Sequence, residues 1–190
     1  MNLLSRNVVL LALDAFGGNI DGKTLLQKRL YFLNQMLGKR FGLHPGFGYD
    51  AHFYGPYSGV VANDVTTLVT QGFVREDVSL YGAFDASGFE MRKCRYELTP
   101  EGESGVAWLK NEYPEEAKQV RKAADVILKA GVLNYVDLSI AAKAHLILER
   151  ANRPLNARNV VEEARKFSWV VEEQKIQNGL TFLKTLGLAA

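Results

Sequence analysis

The feature that most constrains the fold is a single pair of neighbouring strand candidates in a chain that otherwise carries helical patterns. Residues 73–82 and 89–98 are the two predicted strands. In the second strand the apolar residues Cys94, Tyr96 and Leu98 alternate with charged residues, as expected for a strand buried on one side. Because one hairpin cannot form a sandwich or a parallel α/β sheet, we expect a mainly helical α+β protein with a small β-ribbon.

The ribbon itself carries two further signals. A loop over residues 83–88 is predicted to join the strands, and the apolar residues of the second strand change parity upstream of Cys94. We interpret that change as a β-bulge near Arg92 and Lys93. With Arg95, these two residues form a basic cluster on the predicted ribbon.

Three predicted helices precede the ribbon. The first covers about residues 3–16 and stops at Gly17-Gly18. The second begins near residue 22 and is ended by Gly38 and Gly42, and the third runs from the N-cap Ser58 to about Gln71. The second has its apolar stripe at Leu26, Leu30, Leu33 and Leu37, which places Lys28, Tyr31 and Gln35 on the opposite face. Three helices followed by a two-stranded ribbon is the order of a winged helix-turn-helix.

The remaining helical patterns predict a second unit. They cover residues 100–112, 114–129, 137–151, 156–167 and 171–186. We therefore divide the chain into a winged-helix-like domain over residues 1–113 and a helical bundle over residues 114–190 packed against it. The last three helices resemble the first unit without a ribbon, and we interpret them as a second, wingless helix-turn-helix-like unit.

Composition limits the partners and the compartment. The 190 residues are 47% hydrophobic and 23% charged, as in ordinary globular proteins, and the net charge of +2 does not demand a nucleic-acid partner. The only cysteine, Cys94, indicates a reducing compartment. The start of the chain has no basic segment ahead of its short apolar run, and no apolar stretch is long enough for a bilayer. We expect a cytoplasmic protein without a membrane partner.

Two stretches resemble known families. The segment Tyr96-Glu97-Leu98-Thr99-Pro100-Glu101-Gly102 is similar to the end of the wing in regulators of the MarR and PadR type. The segments Gly22-Lys23-Thr24-Leu25-Leu26-Gln27-Lys28, Leu30-Tyr31-Phe32 and Phe53-Tyr54-Gly55-Pro56 resemble the Panacea antitoxin family and the uncharacterised YwgA-like family. The Panacea resemblance, over about residues 22–58, implies an antitoxin-like protein that binds a partner protein such as a toxin.

Double-stranded DNA is the partner that the element order favours. The third helix of a winged helix enters the major groove while the wing contacts the backbone. We therefore expect Asn63, Thr66 and Thr67 to meet base edges, and Arg92, Lys93 and Arg95 to meet phosphates. A homodimer is expected, since symmetric operators favour twofold proteins. Against DNA, the third helix contains no lysine or arginine and carries Asp64.

A partner protein is the alternative. The segment Tyr54-Gly55-Pro56-Tyr57 lies among many aromatic residues, and tyrosine is frequent in interface hot spots. If the Panacea resemblance is informative, Gln27 and Lys28 fix this corner by hydrogen bonds. Otherwise they are ordinary residues on the surface of the second helix.

No enzymatic pattern is found. His44, His52 and His145 have no metal-ligand spacing, and Asp85, Glu90 and Lys93, which superficially resemble a nuclease set, lie in the predicted loop and wing. Phosphate-binding glycine loops are absent from the sequence. We expect a binding protein without catalytic residues, cofactor or metal.

Overall fold

The computed structural model describes residues 3–84, 90–131 and 134–189, and for residues 80–84 and 90–92 it describes the backbone alone. Within these ranges the helices are α1 (Ser5–Ala15), α2 (Lys23–Phe41), α3 (Gly59–Thr70), α4 (Pro100–Glu112), α5 (Pro114–Lys129), α6 (Tyr135–Ala151), α7 (Ala157–Ala164) and α8 (Glu173–Leu186). The strands are β1 (Asn19–Asp21), β2 (Val74–Phe84) and β3 (Glu90–Leu98). The prediction of a mainly helical α+β protein is confirmed.

The sheet has one more strand than the sequence analysis predicted. Its order is β1-β3-β2, with both pairs antiparallel. Strand β1 pairs Asn19 with Glu97 and Asp21 with Arg95. A strand of three residues is too short to show an alternating pattern, and the glycines on both sides of it mask the signal further. The predicted two-stranded ribbon therefore supplies two strands of a three-stranded sheet in which β3 is central.

The predicted bulge is on the other strand. Arg92 pairs with Leu80 and Lys93 with Ser79 in regular register, and the irregularity lies between Leu80 and Phe84 of β2. The change of apolar parity in β3 predicted an irregularity at the correct height along the hairpin. The additional residues, however, are in the partner strand β2. Residues 83 and 84 of the predicted loop belong to β2, and the rest of the loop lies outside the described residues, as does residue 89.

Helix α2 lies at the centre of the protein. Its predicted stripe of four leucines is buried, but Lys28 and Tyr31 on the face predicted to be exposed are also buried, with 2% and 0% of their surface accessible. The reason is that α2 packs against α5 and α6 as well as against the N-terminal elements. One apolar cluster runs from α1 through α2 to α8.

Side-chain caps fix the helix starts that position the site. Ser58, Thr99, Asn134 and Asn156 each accept a backbone hydrogen bond from the first turn of the helix that follows. The predicted helix over residues 156–167 ends at Ala164 and continues as a short 3-10 turn. None of the helices in the described ranges combines the length and the apolar character needed to cross a membrane.

The contact between α4 and the loop before β2 predicts a sensitive position. A Cβ at Gly102 would clash with the backbone carbonyl oxygen of Phe73. We expect Gly102→Ala to lower the free energy of unfolding by about 1–3 kcal/mol, measured by urea denaturation, because the backbone has to move apart. Gly59→Ala is the matched control, since a Cβ there meets nothing within 4 Å and alanine favours the helix. Equal stability of Gly102→Ala and wild type would contradict the close contact.

Candidate functional site

The segment over residues 52–57, which we call the aromatic corner, is a closed loop with two aromatic side chains at its tip. Asp50 and Tyr57 exchange backbone hydrogen bonds of 3.0 and 2.9 Å, and the amide of Gly55 donates to the carbonyl of His52 at 2.9 Å. The second bond closes a β-turn whose central residues are Phe53 and Tyr54. Their side chains are 69% and 61% exposed, and the two rings contact each other edge to face.

Gly55 lets the aromatic corner pack directly on α6. Its φ of +92° lies in the region that favours glycine. A Cβ at this position would lie 3.1 Å from Cγ of Lys143 and 3.3 Å from the carbonyl oxygen of Ser139. A side chain here would therefore be strained and would separate the corner from α6.

Gln27 of α2 binds Ser58, the residue that follows the aromatic corner, through its side-chain amide. The amide nitrogen donates to the carbonyl of Ser58 at 3.0 Å, and the amide oxygen accepts from the Ser58 backbone amide at 3.1 Å. The Ser58 hydroxyl in turn accepts from the amide of Val61 at 2.9 Å. Gln27 therefore fixes both the corner and the start of α3.

Lys28 holds the next part of the same segment. Its Nζ donates to the carbonyl of Pro56 at 2.6 Å inside the protein, and the described residues place no carboxylate within 4 Å of it. Burial, with a further contribution from the charge of Lys143, lowers the pKa of Lys28 to about 8. The predicted hydrogen bonding of the corner is confirmed for Lys28, whereas Gln27 binds Ser58, the residue that follows the corner. Both side chains are buried, so the alternative that they lie on the surface of the second helix is wrong.

The turn before α8 supports the aromatic corner from the other side. Trp169, which is 2% exposed, donates its indole N–H to the carbonyl of His52 at 2.9 Å. Its ring stacks on Phe167 with centroids 4.7 Å apart, and the Lys143 ammonium lies 5.3 Å from the Trp169 ring centroid. The corner is thus bound by three elements that are distant in sequence.

A groove opens beside the aromatic corner. It has a volume of about 380 Å³, which is within the range of ligand sites in proteins. Tyr54 forms one wall, the start of α6 forms a second, and Val170 with the first turn of α8 completes it. Exposed apolar side chains surround it: Tyr54, Tyr135, Val136 and Val170. Val170 is 99% exposed, so this surface has no partner within the described chain.

The residues predicted to bind DNA lie on other surfaces. Asn63 and Thr66 are exposed on α3, and Thr67 is half-buried. The hydroxyls of Thr66 and Thr67 donate to backbone carbonyls of their own helix, at 3.0 and 2.9 Å. Lys93 and Arg95 are exposed on β3, and the side chain of Arg92 lies outside the described part.

Acidic residues accompany the basic residues of the sheet. Arg95 lies 3.9 Å from Asp21 and 4.0 Å from Glu97. Arg75 pairs with Asp77 at 3.2 Å and with Glu97 at 2.6 Å. These contacts reduce the positive charge available to a phosphate backbone.

His145 is a buried histidine that joins two helices. His145 is 3% exposed, and its Nδ1 shares a hydrogen bond of 2.7 Å with the hydroxyl of the buried Tyr31. Burial lowers the pKa of His145 to about 4, so the ring is neutral near pH 7 and links α6 to α2. The described residues contain no group of three His, Cys, Asp or Glu side chains placed to hold a metal ion.

Sequence reasoning missed the second wall of the site. Lys143, Trp169 and Val170 were not singled out as functional residues. The signal that could have drawn attention is a tryptophan in a turn between two helices, since such a side chain needs both burial and a hydrogen-bond acceptor. Nothing in the sequence links it to His52.

Compared with known proteins, the chain matches no family model and no curated protein.

The burial of Lys28 predicts a pH dependence of stability. Its pKa is about 8 in the folded protein against an ordinary 10.5, so between these pH values the unfolded chain binds more protons than the folded protein. The cost of the buried charge is fully present below pH 8, and the free energy of unfolding rises by about 3 kcal/mol as the pH increases through this window.

Urea unfolding of wild type and Lys28→Met over this pH range measures the effect. We expect the stability of wild type relative to the variant to increase with pH, because methionine has no charge to lose. Lys118→Met, at an exposed position of α5, controls for the loss of a lysine. A wild-type-to-variant difference that is independent of pH would contradict the burial of the ammonium.

Proposed function

We propose that this chain is a non-enzymatic binding module that recognises a partner protein through the aromatic corner and the groove beside it. The observation that carries the proposal is the pair of exposed aromatic side chains, Phe53 and Tyr54, on a turn fixed from inside the protein. A preorganised turn loses little conformational entropy on binding. Large aromatic residues then supply buried area at an interface.

The free-energy cost of fixing the aromatic corner supports a role of this corner in protein binding. Burying an ammonium without a carboxylate partner is unfavourable, and a leucine at position 28 would fill the interior without that cost. Lys28 instead binds the Pro56 carbonyl, and Gln27 binds both backbone groups of Ser58. Fixing the position of residues 56–58 therefore lowers the stability of the fold. Such a loss is expected where that position serves the recognition of a partner.

The resemblance of residues 22–58 to the Panacea antitoxins points to the same surface. The stretches that carry it contain Gln27, Lys28 and the Tyr54-Gly55-Pro56 turn, which hydrogen bonds bring together. A toxin neutralised by binding is the kind of partner that this resemblance implies. A regulatory adaptor that delivers a bound protein would use the surface in the same way.

DNA binding by a winged helix is the second candidate. The element order α1-β1-α2-α3-β2-β3 and the sheet order β1-β3-β2 support a winged-helix unit, with α3 as its recognition helix and the β2–β3 hairpin as its wing. The exposed Asn63 and Thr66 favour this function. The ion pairs of Arg75 and Arg95 and the absence of lysine and arginine from α3 count against it.

Affinity capture from a lysate of the source cells distinguishes the candidates. We expect a protein that is retained by the wild-type chain and lost at least tenfold with Phe53→Ala/Tyr54→Ala, because hot-spot aromatics each contribute about 2 kcal/mol or more. Trp108→Ala is the matched control, since Trp108 is an exposed aromatic residue of α4. Equal capture by all three chains would overturn the proposal.

Binding to pooled genomic DNA fragments across a salt series completes the comparison. Tight retention that weakens steeply with salt, and that is lost when Arg92, Lys93 and Arg95 become alanine, would establish the DNA reading instead. We expect the wild-type chain to show no such salt-dependent retention.

A further inference from the structure

Positive side chains outnumber negative ones at the groove beside the aromatic corner. Three lysine side chains, Lys28, Lys143 and Lys175, lie at or next to it, and Glu172 is the acidic residue among those that line it. Glu172 pairs with Lys175 at 3.4 Å, so these two charges compensate each other. The remaining positive charge belongs to Lys143 on the surface and to Lys28 behind it.

Lys143 has the properties of a lysine that could form an ion pair with a carboxylate of a binding partner. Its side chain is half-buried and lines the groove, and no carboxylate of the described residues lies within 4 Å of its ammonium. Its ammonium lies 5.3 Å from the centroid of the Trp169 ring, and the aliphatic part of the side chain lies next to Gly55. Burial lowers the pKa of Lys143, and the charge of Lys143 also lowers that of Lys28, so a negative charge here would stabilise both ammonium groups.

The rim of the groove is apolar. Tyr54, Tyr135, Val136 and Val170 line the groove together with Lys143, and all four are exposed. A free inorganic anion or a nucleic-acid phosphate would satisfy the charge but leave these side chains exposed. An occupant that satisfies both has to present a carboxylate next to apolar side chains, which is the chemistry of a protein segment.

We infer that the groove receives an acidic segment of the partner protein, in which an aspartate, a glutamate or the terminal carboxylate pairs with Lys143 while a neighbouring apolar side chain packs among Tyr54, Tyr135 and Val170. The inference rests on the proposed function, because it names the class of segment that the aromatic corner recognises. Lys143 acts as the specificity-determining residue, since the apolar rim alone accepts many sequences.

Selection of a displayed random-peptide library against the full chain tests this inference. Selected peptides are synthesised in pairs that differ only by a carboxylate and the corresponding amide, and their affinities are measured by fluorescence anisotropy. We expect the amide form to bind at least tenfold more weakly to wild type, a factor that corresponds to about 1.4 kcal/mol. With Lys143→Met or Lys143→Gln the two forms should bind equally, because the ammonium that distinguishes them is gone.

Three controls make the result specific. Lys118→Met removes an exposed lysine of α5 and should keep the preference of wild type for the carboxylate form. Thermal unfolding of both Lys143 variants checks that the aromatic corner stays folded. Lys143→Glu should reverse the preference and select peptides with lysine or arginine in place of the acidic residue.

The outcomes separate this inference from the proposed function. Peptides that need Tyr54 but bind equally as carboxylate and amide would overturn the acidic segment and leave the protein-binding function standing. A selection in which no peptide depends on Tyr54 would overturn both. Displacement of the peptides by a DNA duplex, with loss of the displacement in Lys143→Met, would overturn the inference in favour of a nucleic-acid ligand.

Discussion

Lys28 carries its ammonium group into the interior of the protein, where the carbonyl oxygen of Pro56 accepts its hydrogen bond at 2.6 Å. This contact joins the central helix α2 to the turn that bears the exposed aromatic side chains. Gln27 repeats the connection one residue earlier through both backbone groups of Ser58. Because Ser58 also caps α3, the same two side chains of α2 position the aromatic corner and the third helix.

The C-terminal half completes the surface that α2 organises. Gly55 packs closely against Ser139 and Lys143 of α6. The indole N–H of Trp169 donates to the carbonyl oxygen of His52. The aromatic corner is therefore held between elements from both ends of the chain. On the sheet, by contrast, acidic neighbours pair with Arg75 and Arg95, so the charge that a phosphate backbone needs is reduced where the sequence suggested it.

Local signals predicted the helices well because caps and breakers act within a few residues. Thr99 and Asn156 accept the hydrogen bonds expected of N-caps. Contacts between distant residues were not predictable in this way. The face of α2 that contains Lys28 is polar in sequence and buried in the fold because α6 covers it, and Trp169 meets His52 across 117 positions. Only the part of the candidate site that comes from the N-terminal half of the chain was predicted, because the family resemblance lies there.

We propose the aromatic corner as the surface on which the partner binds. The most direct measurement is site-specific photo-crosslinking in the source cells, with p-benzoylphenylalanine placed at Tyr54, at Asn63 of α3 or at Trp108 of α4. We predict a defined protein crosslink from position 54, with none from position 108. A crosslink to DNA from position 63, with no protein crosslink from position 54, would contradict partner binding at the aromatic corner.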